Sequence, residues 1–182
     1  MHADIQRTAS RLLTAALAAT AVAAPTPALA GDSAGTIGVE LNVSSACLVN
    51  GASAAAADLG QTGRIRFPDQ PGQFDDVDGE FVGSLGALSV RCSPGVTPSL
   101  TIGSGAHDAG GVRHMAANGA SVAYRLFTNA GRTDEITIGR QLALGTATNT
   151  AITVPIYART NSGGRLLQPG KYTDVVQVTL SW

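Results

Sequence analysis

Few side chains in this sequence are equipped for chemistry. Beyond residue 30, His107 and His114 are the only histidines, and both sit in a glycine-rich stretch. Hydrolysis by a nucleophile and base needs a Ser or Cys beside a His that a third, acidic group orients. The one formal G-x-S-x-G, Gly31-Asp32-Ser33-Ala34-Gly35, directly follows the leader-like stretch and precedes no helical pattern, so it lacks the strand-to-helix turn that would expose a nucleophile. Gly103-Ser104-Gly105 begins like a phosphate-binding loop, but the third glycine of G-x-G-x-x-G is replaced by Asp108 and no helical periodicity follows. That stretch reads as a hairpin turn. No catalytic residue and no cofactor site are expected.

Metal binding has two candidates. Asp75, Asp76, Asp78 and Glu80 could offer carboxylate oxygens to a hard cation. Gly79 falls too early for the calcium-loop pattern, so Pro68 to Glu80, with Asp69, reads as a solvated acidic loop. Cys47 and Cys92 are the only cysteines and lack the C-x-x-C or paired-histidine spacing of a zinc site. In an exported chain they read as one intrachain disulfide. The loop it would close, about 45 residues, makes it worth roughly 4 kcal/mol on the chain-entropy model.

Export is written at the start of the chain. Arg7 and Arg11 precede an apolar run from Leu12 to Ala24, followed by Ala28-Leu29-Ala30, the layout of a signal peptide over residues 1–30. The mature chain is expected to begin at Gly31. That run is well short of the roughly 20 residues a helix needs to cross a bilayer, so no membrane insertion is expected. What remains of the 182 residues suits one domain. The formal net charge of −1, with no basic cluster, gives no electrostatic footprint for nucleic acid.

After the leader, short runs rich in Val, Ile, Leu and Thr alternate with Gly, Asn, Asp and Pro, a pattern of strands and turns. Strands are predicted at Gly63 to Phe67, Leu85 to Cys92, Ser99 to Ile102, Ser121 to Phe127, Glu135 to Ile138 and Thr150 to Ala158. The last is at the C-terminus, where Val176, Val178, Leu180 and Trp182 share one face. Gly103 to Gly111 reads as a loop, and Ala52 to Ala57 as a loose, low-complexity one. An all-β sandwich is the expected class. The first mature strand, Gly35 to Ser44, places Ile37, Val39, Leu41 and Val43 on one face and Thr36, Gly38, Glu40 and Asn42 on the other. Burying four such apolar side chains is worth on the order of 6 to 12 kcal/mol before ordering costs. A slip of one residue would turn them all outward. Pattern alone makes this the first strand of the chain's own sandwich.

Several segments together resemble the spore coat protein U domain family, which includes the Csu-type pilins of archaic chaperone–usher pili. They are the alternating strand running into Ser45-Ala46-Cys47-Leu48-Val49, Ile65-Arg66-Phe67, Leu88-Ser89-Val90-Arg91-Cys92, and Leu100-Thr101-Ile102-Gly103 with Arg113-His114-Met115. Val122-Ala123-Tyr124-Arg125-Leu126, Val154-Pro155-Ile156-Tyr157 and the closing Gly170-Lys171-Tyr172-Thr173-Asp174-Val175-Val176-Gln177-Val178-Thr179-Leu180 complete the set. Departures from the family's usual pattern include Pro68 after Phe67 and Ala158-Arg159.

The resemblance implies an incomplete immunoglobulin-like β-sandwich, residues 45–182, completed by donor-strand exchange. Residues 31–44 would be the donor extension, with Ile37, Val39, Leu41 and Val43 entering a neighbouring subunit, and the bridge would join Cys47 to Cys92. It also implies a structural subunit of a surface pilus that serves adhesion and biofilm formation and reaches the cell surface through the periplasm. Its partners would be other pilin subunits, a periplasmic chaperone and an outer-membrane usher. Two alternatives stay open: a secreted monomeric ligand- or carbohydrate-binding module, and a coat or matrix protein on the same fold.

Overall fold

The computed structural model describes residues 31–55, 59–83 and 87–182. The expected signal peptide, part of Ala52–Ala57 and the start of the predicted Leu85–Cys92 strand lie outside the described residues. The chain separates into an N-terminal unit ending at Leu41 and a second unit, Asn42–Trp182, which holds every strand found among the described residues. Among the described residues there is no helix.

The strands of the second unit form three antiparallel sheets. In the first, β1 (Cys47–Val49) turns back on β2 (Ala52–Ser53) and pairs on its other side with β5 (Leu88–Cys92), which also pairs with β10 (Ile152–Val154). The second runs in the order β3 (Gly63–Arg66), β4 (Val77–Gly83), β11 (Tyr157–Thr160), β8 (Ala120–Phe127), β7 (Arg113–Ala117). The third places β6 (Ser99–Ile102) between β9 (Gln141–Ala143) and β12 (Val178–Ser181). An immunoglobulin-like sandwich has A, B, E and D strands in one sheet and C, F and G in the other. β1, β5, the β10–β11 pair and β8 take the first four places, and β6 and β12 take those of C and F.

Alternation explains which faces close on the core. Leu88, Val90 and Cys92 of β5, Leu100 and Ile102 of β6, and Val122, Tyr124 and Leu126 of β8 point inward, each under a tenth exposed. Two tight hairpins fix the register. Asn50-Gly51 joins β1 to β2 and Asn118-Gly119 joins β7 to β8, all four residues having positive φ. Such two-residue turns match the right-handed twist of the flanking strands, and Asn-Gly tolerates the backbone they need.

The structure departs from the sequence-based expectation in several places. The predicted Thr150–Ala158 strand is two strands, because Pro155 cannot donate to a ladder and the chain changes sheets there. Glu135 to Ile138 makes only an isolated bridge from Glu135 to Phe127, although Ile136 is fully buried. The acidic stretch is not all loop: Asp78 and Glu80 lie on β4, their side chains outward while Gly79 is buried between them. Ala52 and Ser53 form a short edge strand instead of a loose loop.

Candidate assembly interface

The bridge between Cys47 and Cys92 is present and sits at directly opposed residues of β1 and β5. Ser93 N–H donates to Ala46 O at 2.8 Å and Asn50 N–H donates to Ser89 O at 2.8 Å, which places the cysteines at a position without ladder hydrogen bonds. There opposed Cα atoms approach most closely, here 4.0 Å apart. Ala46 N–H also donates to the Ser93 hydroxyl at 3.1 Å. The chain is thus clamped just after Ser45, where the N-terminal segment leaves the sheet.

That segment carries no ladder. The expected strand from Gly35 to Ser44 has neither strand pairing nor a hydrogen bond among the described residues. Ile37, Val39, Leu41 and Val43 are 91, 92, 83 and 84 % exposed. Four large aliphatic side chains open to water at two-residue spacing are far from the ordinary state of a β-sandwich's first strand. Their exposure leaves unused the burial energy that the alternation makes available.

At the other end of the chain β12 has one neighbour. It pairs with β6 through Val178↔Ile102, Thr179↔Thr101, Leu180↔Leu100 and Ser181↔Ser99, and no described strand pairs with its other side. Because Gly103 N–H donates to Gln177 O at 2.8 Å, the alternation of an antiparallel ladder turns the amides and carbonyls of Val176, Val178 and Leu180 toward the open side. The same residues face the core, yet Val178 is 37 % and Trp182 45 % exposed, and Val176 and Leu180 are only half-buried. The opposed Leu100 and Ile102 are 1 and 2 % exposed. A backbone edge and an apolar face are therefore uncovered together.

The remaining sheet edges are guarded. β3 carries the exposed Arg64 and Arg66, β10 runs into Pro155, β2 and β9 are only two and three residues long, and β7 is partly covered by Thr173, which bridges Ala116. Charges, prolines and shortness are the usual means of preventing an edge from pairing with another chain. β12, with Val178-Thr179-Leu180-Ser181, has none of them.

Four of the polar residues singled out in the sequence, both histidines, Asp76 and Asp78, have structural partners. His114 lies on β7 with Nδ1 2.9 Å from Val112 O, and His107 Nδ1 is 3.1 Å from the Asp174 carboxylate. The histidines share no site. In the acidic stretch, Arg159 bonds Asp78 through Nε at 2.7 Å, Arg132 Nε also reaches Asp78, at 2.9 Å, and Asn161 donates to Asp76 at 2.8 Å. The Arg159 hydrogen bond holds the Asp78 carboxyl below the usual carboxylate range. Among the described residues no cluster of metal-ligating side chains forms.

Two buried charged groups escaped the sequence reading. Arg113 is 3 % exposed and donates to three carbonyls, Gly103 O at 2.8 Å, Ile136 O at 2.7 Å and Ile102 O at 3.0 Å. Burial lowers its guanidinium below the ordinary value, opposed by Tyr124, Glu135 and Asp174. Asp174, whose side chain is 3 % exposed, accepts from the Tyr124 hydroxyl at 2.6 Å. Burial, then the hydrogen bond to Asp174, pushes that phenol far above its usual range, so it stays a donor. An arginine within an apolar run and an aspartate among valines and threonines were the available signals.

A family model described as the Spore Coat Protein U domain matches residues 33–179. No curated protein matches the chain.

Proposed function

The chain belongs to the Spore Coat Protein U domain family, a family of pilin-type structural domains, and from that premise we propose that it is a structural subunit of a surface pilus assembled by donor-strand exchange. The observation that carries this reading is the open side of β12, an edge that lacks a charge, a proline, a cover or the shortness of β2 and β9 and that lies beside a half-exposed apolar face. An added strand there would satisfy the amides and carbonyls of Val176, Val178 and Leu180 and cover the half-exposed apolar face beneath them. This is β-augmentation, in which main-chain bonds supply affinity and alternate side chains supply specificity. The donor is residues 31–44 of a neighbouring subunit, with Ile37, Val39, Leu41 and Val43 as the inserted side chains. Residues 1–30 are the signal peptide and residues 45–182 the sandwich.

Assembly by this route is head to tail and does not close on itself, so it yields a fibre. A subunit with such an edge also needs a temporary cover before assembly, which is the part of a periplasmic chaperone, with delivery to the cell surface through an outer-membrane usher. Adhesion and biofilm formation follow from display of the fibre. The test is to compare the intact protein with a form lacking residues 31–43 on unheated gels after purification from the periplasm. The intact protein gives oligomer ladders that collapse on boiling, because a trapped strand dissociates slowly. The shortened form gives none, and ladders from it would refute the proposal.

A further inference from the structure

The C-terminal segment changes sheets before it becomes β12. Thr173 exchanges hydrogen bonds with Ala116 of β7 at 3.0 and 3.1 Å, then Val175 O accepts from Ala106 N–H at 3.0 Å, and only from Val178 onward does the chain pair with β6. Asp174 stands at the crossover. Its Oδ1 accepts from the Ala106 N–H at 2.9 Å and the His107 N–H at 3.2 Å, and lies 3.1 Å from His107 Nδ1. Its Oδ2 accepts from the Tyr124 hydroxyl at 2.6 Å. Gly105 makes room for it: φ is +97°, and a methyl group there would collide with Oδ2. Arg113, opposite Tyr124 in the β7–β8 register, holds Ile102 and Gly103 at the other end of the same loop.

A central strand is fixed by two ladders and a covered face. β12 has one ladder and a partly bare face, the conditions under which a segment opens locally. We propose that Asp174 is a positioning residue for strand addition, holding the crossover against residues 103–107 so that β12 keeps its place with its other edge free. This rests on the assembly proposed above. The carboxylate is well suited to the task. It accepts from two backbone donors and a phenol at once, and removing it leaves the part-buried Tyr124 hydroxyl without that acceptor and the Ala106 amide tied to Val175 O alone. Asparagine retains an acceptor for the backbone amides, and the Tyr124 hydroxyl can rotate to meet its NH2 group, so it preserves part of the network.

The test is uptake of a fluorescent peptide with the sequence of residues 35–44 by the intact protein and by Asp174→Ala, Gly105→Ala, Asp174→Asn and Tyr124→Phe forms, read as a labelled band on unheated gels. Asp174→Ala and Gly105→Ala slow uptake roughly tenfold or more, as expected for loss of charge-assisted hydrogen bonds, with Asp174→Asn and Tyr124→Phe in between. Hydrogen exchange accelerates at residues 103–107 and 174–181 while β5 and β8 stay protected. Uptake by Asp174→Ala at the wild-type rate overturns this inference alone. Loss of protection throughout the sandwich also overturns it, since Asp174 is then a general stabiliser. If Asp174→Ala does not fold, unchanged uptake by Tyr124→Phe overturns it. Wild-type protein that takes up no peptide overturns the assembly reading itself.

Discussion

β5 and β12 carry nearly the same pattern and live in different surroundings. Leu88, Val90 and Cys92 alternate with Ser89 and Arg91, and Val176, Val178 and Leu180 alternate with Gln177 and Thr179. β5 has a strand on each side and its inward residues are at most 5 % exposed. β12 has one neighbour, and Val178 on its inward face is 37 % exposed. Since the apolar pattern is common to both, what differs is the number of neighbours. β12 is an edge strand whose inward face is only partly covered.

Breaking the closed side has the largest effect. Replacing Cys47 and Cys92 by serine costs about 2–5 kcal/mol, the usual range for a native disulfide in a small exported domain. Denaturant unfolding with and without reductant measures this, and equal midpoints would mean that the bridge does not stabilise β1 on β5. A sharper contrast comes from paired truncations. Leu88→Ala costs about 2–5 kcal/mol by leaving a cavity. Val178→Ala in the unassembled subunit costs less than about 1 kcal/mol, because its side chain is already partly in water. Equal losses would contradict the difference in environment.

A smaller effect on the isolated subunit separates the two edges of β12 itself. The amide of Thr179 faces Thr101 and that of Val178 faces the open side, so Thr179→Pro removes a ladder bond worth about 1 kcal/mol, besides any clash of its ring. Val178→Pro leaves the existing ladder intact. The account expects Val178→Pro to give a near-normal unfolding midpoint and no oligomer ladder on unheated gels. Normal polymerisation of that variant would contradict it.

Much of this architecture was legible. Alternation located β3, β5, β6, β8 and the region of β12, since those strands bury one face and leave the other polar. β7 and β2 were overlooked although Asn118-Gly119 and Asn50-Gly51 are strong hairpin signals, because their flanking strands, such as Ala116-Ala117 and Ala52-Ser53, lack β-branched residues. β4 was hidden for a different reason. Its outward face holds Asp78 and Glu80 and its inward face begins with Gly79, so the apolar period is missing until Phe81. The site divides the same way. The apolar residues of the extension were visible as a set, whereas the open edge of β12 is a property of topology: nothing in Val178 to Ser181 says how many neighbours that strand has. The Asp174 knot joins residues some seventy positions apart in the chain, Ala106 and His107 with Asp174, and local pattern carries no record of such contacts.

The central claim is that the uncovered side of β12 is where a second chain adds its strand. Hydrogen exchange of the Val176, Val178 and Leu180 amides in the unassembled subunit and in the polymer tests it most directly. The account predicts fast exchange at these three in the subunit and strong protection in the polymer, with Thr179 protected in both. Unchanged fast exchange at the three amides in a demonstrated polymer would contradict it and place the contact elsewhere on the molecule.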